Sequence, residues 1–567
     1  MKLSVFQVFI TILFSHLLLF GGDRYWVFFD DKGENESLRL EKKQQLIGRY
    51  VNERALQRRQ LRGFDLPPSR AIQQDLPLDQ NYLNVLDAIG FRIHAQSRWL
   101  NAVSGEADAE VIFQIKNLPF VNLTEKVRSW RFHHEITDEN REEVFSGSGN
   151  ESEVMDWGYG PSFFQNEFHK IPALHQKGLN GYQVLMGVFD SGFSLNNHSL
   201  THIPSRLIAE FDFVQMDSVT ANQAGDAGNQ DRHGTLVLSI LAGFLPDSLI
   251  GPAFGANFIL AKTEIVDQEV HLEEDNWVMA AEWAEGLGVD IISSSLGYSE
   301  FDPGQESYTY EDMDGKTTII TRAANELARR GVLVVSSAGN EGSTPWRYIT
   351  APADAPYVVA VGAVNSKNTV SSFSSRGPTA DERIKPDVVA LGEGVFCATT
   401  SAAFTMASGT SVSCPLVAGI AAQILQAKPD LNVLELLNIL RNCADNAGSP
   451  DNDRGWGKVN ALEAWNLINR TPIEKYRVLP PLPNPSLSGH ATVFFRVELP
   501  IPATIQLEIF TILGQKIYQS HSPGSASQNI ITWPVRRSDG ETVSAGVYIY
   551  RISADSWTYC GKLTVLN

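Results

Sequence analysis

The stretch Val184-Leu185-Met186-Gly187-Val188-Phe189-Asp190-Ser191-Gly192 decides the fold class of this chain. Its first six residues form an almost continuous apolar run, which is typical of a parallel β-strand buried on both faces. Asp190 follows directly at the carboxyl end of that strand, and Gly192 lets the chain turn. Because functional groups collect in the crevice outside the carboxyl ends of parallel strands, the stretch predicts an α/β fold with Asp190 at its site.

Two later segments each place a chemically active side chain at the start of a helix. His233 precedes apolar positions within residues 236–241 that are spaced as one helical face, and Gly243 provides a C-terminal stop. Ser411 leads into a second such helix, with Pro415 in the first turn, where its missing N–H is harmless. A serine at a helix N-terminus lies beside free N–H groups and the positive end of the helix dipole, which favours stabilisation of an oxyanion.

A fourth segment completes a candidate catalytic set. Residues 331–337 predict another buried strand, and Ala338-Gly339-Asn340 follows it, so that the Asn340 carboxamide can donate to a tetrahedral intermediate. A serine hydroxyl becomes a good nucleophile beside an imidazole that takes its proton, if a carboxylate orients the imidazole. Asp190, His233 and Ser411 supply these three groups.

The chain order Asp, His, Ser resembles that of the subtilisin-like serine peptidases, the subtilases. The resemblance covers about residues 157–468 and implies a subtilisin-like three-layer α/β domain with a mostly parallel sheet, at residues 157–470. Further segments that match the family are Gly251-Pro252-Ala253, Asp290-Ile291-Ile292-Ser293-Ser294-Ser295-Leu296-Gly297, Ser371-Ser372-Phe373-Ser374-Ser375-Arg376-Gly377-Pro378 and Lys385-Pro386-Asp387-Val388.

The resemblance also implies a role for each matched residue. Asp190 is expected to orient the imidazole, His233 to act as general base and acid, and Ser411 to be the nucleophile. Asn340 is expected to donate to the oxyanion. The substrate is expected to bind as an added β-strand, through main-chain hydrogen bonds that demand no particular side chains. The residues expected to bind it are Ser295, Leu296, Gly297, Ala338 and Gly339.

The chain departs from the family pattern at two places. Val412-Ser413-Cys414 follows the nucleophile where many relatives carry Met-Ala-Thr, which predicts altered packing behind a working serine. Pro415 and the helix direction favour Cys414 as a buried packing residue over a thiol nucleophile. The polar and acidic insert at residues 298–318 is interpreted as a solvated loop, with a change of specificity as the alternative.

Length and composition agree with an exported multidomain protein. The chain has 567 residues, which suggests three or four domains. Its net charge is −19 without a basic cluster, which argues against a nucleic-acid partner. Residues 1–22 carry Lys2 and then an apolar run that is short for a membrane span, and so predict a secretory signal peptide. The protein is expected to be secreted or associated with the cell surface.

The sequence predicts no metal ligand and no certain cofactor. Calcium bound by loop oxygens is common among subtilases, and the acidic stretch at residues 212–231 is the candidate for such a structural ion. Four cysteines allow three full disulfide pairings, and a Cys414–Cys443 or a Cys397–Cys443 bridge is one interpretation. The cysteines are Cys397, Cys414, Cys443 and Cys560.

Residues 23–126 show a strand-helix-strand-strand-helix-strand pattern, with a highly charged helical stretch at residues 36–62. This is the split ferredoxin-like α+β pattern, and it resembles the propeptides of subtilases, which assist folding and cover the active site. Residues 127–156 have the composition of a linker, where the propeptide is expected to be cut. The alternative is a permanent accessory domain.

The C-terminal part is separated by a proline-rich linker at residues 471–485. Residues 486–567 predict six short strands, as expected of a small immunoglobulin-like β-sandwich. Segments such as Ser544-Ala545-Gly546-Val547-Tyr548-Ile549-Tyr550 resemble the C-terminal sorting domain of the bacterial type IX secretion system. That resemblance implies the secretion machinery of the outer membrane as a partner, and an ordinary binding module is the alternative.

Together, these features predict a secreted serine endopeptidase, made as a zymogen, that hydrolyses peptide bonds in proteins or peptides through an acyl-enzyme intermediate. A sedolisin-like enzyme is disfavoured, because that family uses a glutamate in place of His233. An alternative of another class is a catalytically idle surface adhesin on the same scaffold.

Overall fold

The computed structural model describes residues 23–127, 158–301, 307–470, 475–481, 484, 486–487, 492–524 and 528–566. The predicted signal peptide and nearly all of the first predicted linker lie outside the described residues. Within them the chain forms an N-terminal α+β domain, a central α/β domain and a C-terminal β domain.

The N-terminal domain is built on an antiparallel sheet in the order β2-β3-β1-β4, which agrees with the ferredoxin-like prediction. The charged stretch forms two helices instead of one, and a third helix follows that the sequence analysis did not predict. The elements are β1 (Asp23–Phe29), α1 (Leu40–Ile47), α2 (Glu53–Arg62), α3 (Pro68–Asp75), α4 (Gln80–Ala88), β2 (Arg92–Ser97), β3 (Ala102–Ala107), α5 (Ala109–Ile115) and β4 (Val121–Lys126).

The central domain begins with two short helices and then alternates strands and helices. Its elements are α6 (Phe163–Phe168), α7 (Ile171–His175), β5 (Leu185–Asp190), β6 (Leu207–Asp212), α8 (Arg232–Ala242), β7 (Phe244–Leu245), β8 (Leu249–Ile250), β9 (Asn257–Lys262), α9 (His271–Gly286), β10 (Ile291–Ser294), α10 (Ile319–Arg329), β11 (Leu333–Ser337), β12 (Val359–Val364), β13 (Val388–Leu391), β14 (Val395–Ala398), β15 (Phe404–Ala407), α11 (Thr410–Ala427), α12 (Val433–Asn442) and α13 (Ala461–Arg470).

Seven of these strands form one parallel sheet in the order β13-β12-β11-β10-β5-β9-β6. Side chains alternate between its two faces, so that Met186 and Val188 join a core with α8 and α11, while Leu185 and Phe189 join a core with α9 and α10. This confirms the predicted three-layer arrangement. Among the described helices, α11 is long and apolar enough to cross a membrane, but it is wholly buried in this core.

The C-terminal domain consists of two sheets over one hydrophobic core, in the orders β16-β18-β21 and β17-β23-β22-β19-β20. The six predicted strands are present with ends shifted by up to five residues, and two short strands that were not predicted precede them. The assignment to an immunoglobulin-like family stays a prediction. The strands are β16 (Arg477–Val478), β17 (Ser486–Leu487), β18 (Val493–Glu498), β19 (Ala503–Thr511), β20 (Lys516–Gly524), β21 (Gln528–Trp533), β22 (Gly546–Ala554) and β23 (Trp557–Leu566).

All four cysteines are free thiols, so the interpretation of a disulfide bridge is wrong. Cys397, Cys414 and Cys443 are buried, and Cys560 is exposed in the C-terminal domain. Burial raises the pKa of each of the three buried thiols to about 12, which keeps them protonated at neutral pH.

Candidate active site

Asp190 and His233 form a hydrogen-bonded pair at the carboxyl edge of the parallel sheet. Asp190 is the last residue of β5 and is fully buried, whereas His233 lies in the first turn of α8 with 41% of its side chain exposed. His233 Nδ1 lies 2.7 Å from Asp190 Oδ1. A carboxylate on Nδ1 holds the proton there and leaves Nε2 free to accept one, which is the tautomer a general base needs.

The electrostatics of this pair favour the charged imidazolium. Burial by itself lowers the pKa of His233, but the charge of Asp190 and its hydrogen bond outweigh that effect, with a further contribution from Glu264. The net result is a raised pKa, which means that the imidazolium formed when a proton is taken from a nucleophile is stabilised.

Ser411 lies at the start of α11, tied to the same edge of the sheet. Ser295 Oγ, just beyond β10, donates to Ser411 O at 2.8 Å. Thr410 N donates to Asn340 Oδ1 at 2.9 Å, so the acceptor of the carboxamide faces the helix start. A Cβ added at Gly409 would lie 3.0 Å from Ser411 Oγ and 3.7 Å from both amide atoms of Asn340. Ser411 Oγ and the Asn340 carboxamide therefore both lie beside Gly409.

The register of the sheet explains why these distant segments meet. Ser294 of β10 pairs with Phe189 of β5, so Ser295 and Asp190 emerge side by side at the carboxyl edge. Since α11 packs against β10 and β11, its first turn is directed to the same place. Parallel strands with helices on both faces produce such a crevice from residues far apart in the chain.

A pocket of about 200 Å³ opens beside Asn340. Residues 295–297 and Gly339 line it, as the sequence analysis expected of substrate-binding residues. Ala338 does not line it: its side chain is fully buried, its N–H donates to Val361 O, and its carbonyl accepts from Thr350 N.

Glu264 is a site residue that the sequence analysis missed. It lines the pocket together with Glu269 and Glu341, and its Oε1 accepts from Tyr298 Oη at 2.6 Å and from Thr263 Oγ1 at 2.7 Å. Burial raises the pKa of Glu264 to about 7. Glu264 lies two residues after the carboxyl end of β9, a position where parallel sheets collect functional residues, and this could have identified it from the sequence.

The insert at residues 298–318 is not simply a solvated loop. Tyr298, Phe301 and Met313 are at most 3% exposed and join the core beneath α9 and α10. That part of the prediction is wrong, because aromatic side chains within the acidic stretch are buried against the domain. Cys414, in contrast, is a buried packing residue as predicted, with its Sγ 3.3 Å from Val335 O.

Two carboxylates of the acidic stretch proposed to bind calcium already pair with a lysine side chain from outside that stretch. Lys262 Nζ lies 2.8 Å from Asp212 Oδ2 and 2.7 Å from Asp226 Oδ2. Within the described ranges no group of three or more His, Cys, Asp or Glu side chains is placed to hold a metal ion. Calcium bound through loop carbonyls stays a prediction.

A buried carboxylate bonded to an imidazole, a serine at a helix start and a nearby carboxamide, on a parallel sheet with helices on both faces, are the features expected of a serine hydrolase. Residues 181–457 match the family model described as the Subtilase family. Residues 24–143 match that of the Peptidase S8 propeptide domain, Bacteroidota.

Two curated relatives and one solved structure are similar to parts of this chain. Subtilisin BL from Lederbergia lenta is 30% identical over 297 residues, which are 52% of this chain and 95% of the relative. The subtilisin-like protease SBT6.1 from Arabidopsis thaliana is 26% identical over 52% of this chain, but the match spans only 27% of that relative. The crystal structure of MycP1 with the N-terminal propeptide removed is 22% identical, covers 53% of this chain and 96% of that chain, and has a TM-score of 0.41. The chain belongs to the subtilase family and is a serine endopeptidase.

Proposed function

We propose that peptide hydrolysis runs through Asp190, His233, Ser411 and Asn340. The observation that carries this assignment is the 2.7 Å contact between His233 Nδ1 and buried Asp190, at the sheet edge where Ser411 is tied to Ser295. All four side chains of the set are present, so the alternative of an idle adhesin is not favoured.

In this mechanism His233 takes the proton of Ser411 Oγ as the hydroxyl attacks the substrate carbonyl. The Ser411 N–H and the Asn340 amide donate to the oxyanion, since Asn340 Oδ1 is already occupied by Thr410. His233 then protonates the leaving amine. In deacylation His233 takes a proton from a water molecule, the water attacks the acyl carbonyl, and His233 returns a proton to Ser411 Oγ as it leaves. Residues 295–297 bind the substrate backbone as an added strand.

Reaction with a fluorophosphonate tests the assignment directly. Intact mass is measured on the processed wild type, on Ser411→Ala, and on the exposed Ser372→Ala as the matched control. We expect one covalent adduct on the wild type and on Ser372→Ala, and none on Ser411→Ala. Folded wild-type protein that is free of its N-terminal domain and forms no adduct would refute the mechanism.

We also propose that the enzyme is exported as a zymogen, with a signal peptide at residues 1–22, cleavage within residues 127–156, and sorting by residues 486–567. The match of residues 24–143 to a propeptide model named for the Bacteroidota supports the zymogen. The resemblance of the C-terminal segments and the two-sheet architecture support an immunoglobulin-like sorting domain.

Fractionation of the native bacterium tests sorting. A chain lacking residues 471–567 is expected to accumulate in the periplasm, whereas the full chain reaches the cell surface or the medium. If the truncated chain still crosses the outer membrane, the C-terminal domain is instead an accessory binding module.

A further inference from the structure

Helix α2 of the N-terminal domain lies against the catalytic domain at the sheet edge remote from the catalytic residues. Asp190 is the last residue of β5, and Ser295 follows the carboxyl end of β10. Helix α2 and the residues next to it contact residues 285–290, before the amino end of β10, and residues 329–331, before the amino end of β11. Arg54 Nη2 also donates to Gln183 O, before the amino end of β5. This contact is therefore a second meeting point of the two domains, away from the active site.

Arg58 is the α2 arginine that enters the catalytic domain furthest, with 1% of its side chain exposed. Its guanidinium donates to Val289 O at 2.5 Å and to Arg330 O at 3.2 Å, and it forms an ion pair with the carboxylate of Glu285. A guanidinium presents five donors in a rigid fork, so it can satisfy carbonyls from two loops and a carboxylate at once.

The other α2 arginines pair with two buried carboxylates. Arg59 binds Glu285 through two contacts, Nε to Oε1 at 2.8 Å and Nη2 to Oε2 at 2.6 Å, while Arg62 and Arg54 both pair with Asp290. Burial by itself raises the pKa of each carboxyl group, but the nearby arginines outweigh it, so that the pKa of Glu285 falls to about 2 and that of Asp290 is also lowered.

Three glycines of the catalytic domain allow the N-terminal domain to approach its backbone closely. A Cβ added at Gly286 would lie 2.0 Å from Tyr50 O, and the nearest atoms after that belong to Tyr50 and Val51 as well. Added Cβ atoms at Gly288 and Gly331 would meet α2 atoms at 2.7 and 3.0 Å. Gly286 therefore leaves space for the N-terminal domain rather than for the catalytic domain itself.

The sheet of the N-terminal domain makes a separate contact, with α9. Ser97 Oγ and Trp99 N donate to Glu282 at 2.6 and 3.1 Å, and Ser104 Oγ donates to Asp275. These hydrogen bonds involve no α2 residue, but the two contacts adjoin, because the Arg330 guanidinium lies 4.4 Å from the centroid of the Trp99 ring.

We propose that residues 285–290 and 329–331 form a second propeptide-binding site, which takes the arginine-bearing helix α2 and holds the propeptide on the enzyme after the linker is cut. This rests on the proposed role of the N-terminal domain as a cleavable propeptide. The partner is recognised by two buried carboxylates, by carbonyls at the amino edge of the sheet and by the space above Gly286.

The experiment uses the full chain with Ser411→Ala, so that no self-digestion occurs, and with a site-specific protease sequence placed within residues 128–157. The chain is immobilised by its C-terminus and cut, and the dissociation rate of a fluorescently labelled N-terminal fragment is followed during washing. Arg58→Met and Gly286→Ala probe the site from its two sides. Exposed Arg49→Met and open Gly448→Ala, where an added Cβ meets no atom within 4 Å, are the matched controls.

We expect Arg58→Met to dissociate about 100-fold faster, since it removes one of the two arginines on buried Glu285 and leaves Val289 O and Arg330 O without this donor, and Gly286→Ala about 10-fold faster. Both controls should stay within twofold of the parent chain. Circular dichroism of the uncut variants checks that they are folded. The three atoms nearest an added Cβ at Gly286 all belong to the N-terminal domain.

Unchanged dissociation of both variants would overturn the second site, as would an effect of one variant without the other, because both probe the same contact. The readout does not require catalysis. Failure of fluorophosphonate labelling would therefore refute the proposed mechanism while leaving this result intact.

Discussion

Replacement of Asp190 by asparagine removes a charge and a proton acceptor while preserving shape. Asp190 Oδ1 lies 2.7 Å from His233 Nδ1, and the aspartate is fully buried while the histidine is partly exposed. At that distance two opposite charges attract each other by about 6 kcal/mol at an effective dielectric constant near 20. The attraction falls to about 3 kcal/mol if the partial exposure of His233 raises the effective dielectric constant to about 40. Since each 1.4 kcal/mol is a factor of ten, loss of the charge costs about 10²–10⁴ in rate, with the wrong tautomer adding to it.

The assay is the pH profile of kcat/KM on a chromogenic peptide, for the wild type and for Asp190→Asn. Because Asp190 raises the pKa of His233, its removal lowers that pKa, and the acidic limb of the profile should move to lower pH while the plateau falls. Asp555→Asn, in the exposed turn before β23, is the control and should leave both unchanged. A plateau above one tenth of the wild type, or a limb that does not move, would refute the reasoning.

Three further outcomes are expected. Asn340→Ala should lower kcat by about 10²–10³ with little change in KM, since its amide acts in the transition state, and a pure KM effect would contradict this. Glu264→Gln should shift the acidic limb of the kcat/KM profile to lower pH, because the charge of Glu264 raises the pKa of His233. A shift to higher pH would contradict this effect of Glu264 on His233. A thiol reagent at pH 8 should label one cysteine, Cys560, in native protein and four after denaturation, and labelling of Cys414 in the native state would contradict its burial.

The α2 contact bears on how long the N-terminal domain stays bound after the proposed cleavage. Because that domain contacts both the amino edge of the sheet and helix α9, a cut in the linker does not by itself release it, since release requires both contacts to open. Buried guanidinium–carboxylate pairs are only weakly screened by salt, so ionic strength alone is a poor release signal for this helix. Digestion of the N-terminal domain is therefore the expected route to the mature enzyme.

Several features followed from local sequence. The apolar run before Asp190, the helical face after His233 and the proline after Ser411 each specify an element and the residue at its end, because period and capping act within a few residues. The strand and helix order of the N-terminal domain is likewise a local pattern. Chain order then limited the chemistry, since Asp, His and Ser in that order match a known family.

Other features were decided only by the tertiary structure. Residues 36–62 read as a highly charged helical stretch, and nothing local indicates that Arg58 is buried. It is buried against Glu285, which lies 227 residues further along the chain. The aromatic residues of the acidic insert are buried for the same reason, and Glu264 becomes a site residue only because β9 pairs with β5. Burial and charge pairing depend on which surfaces meet, and no local pattern carries that information.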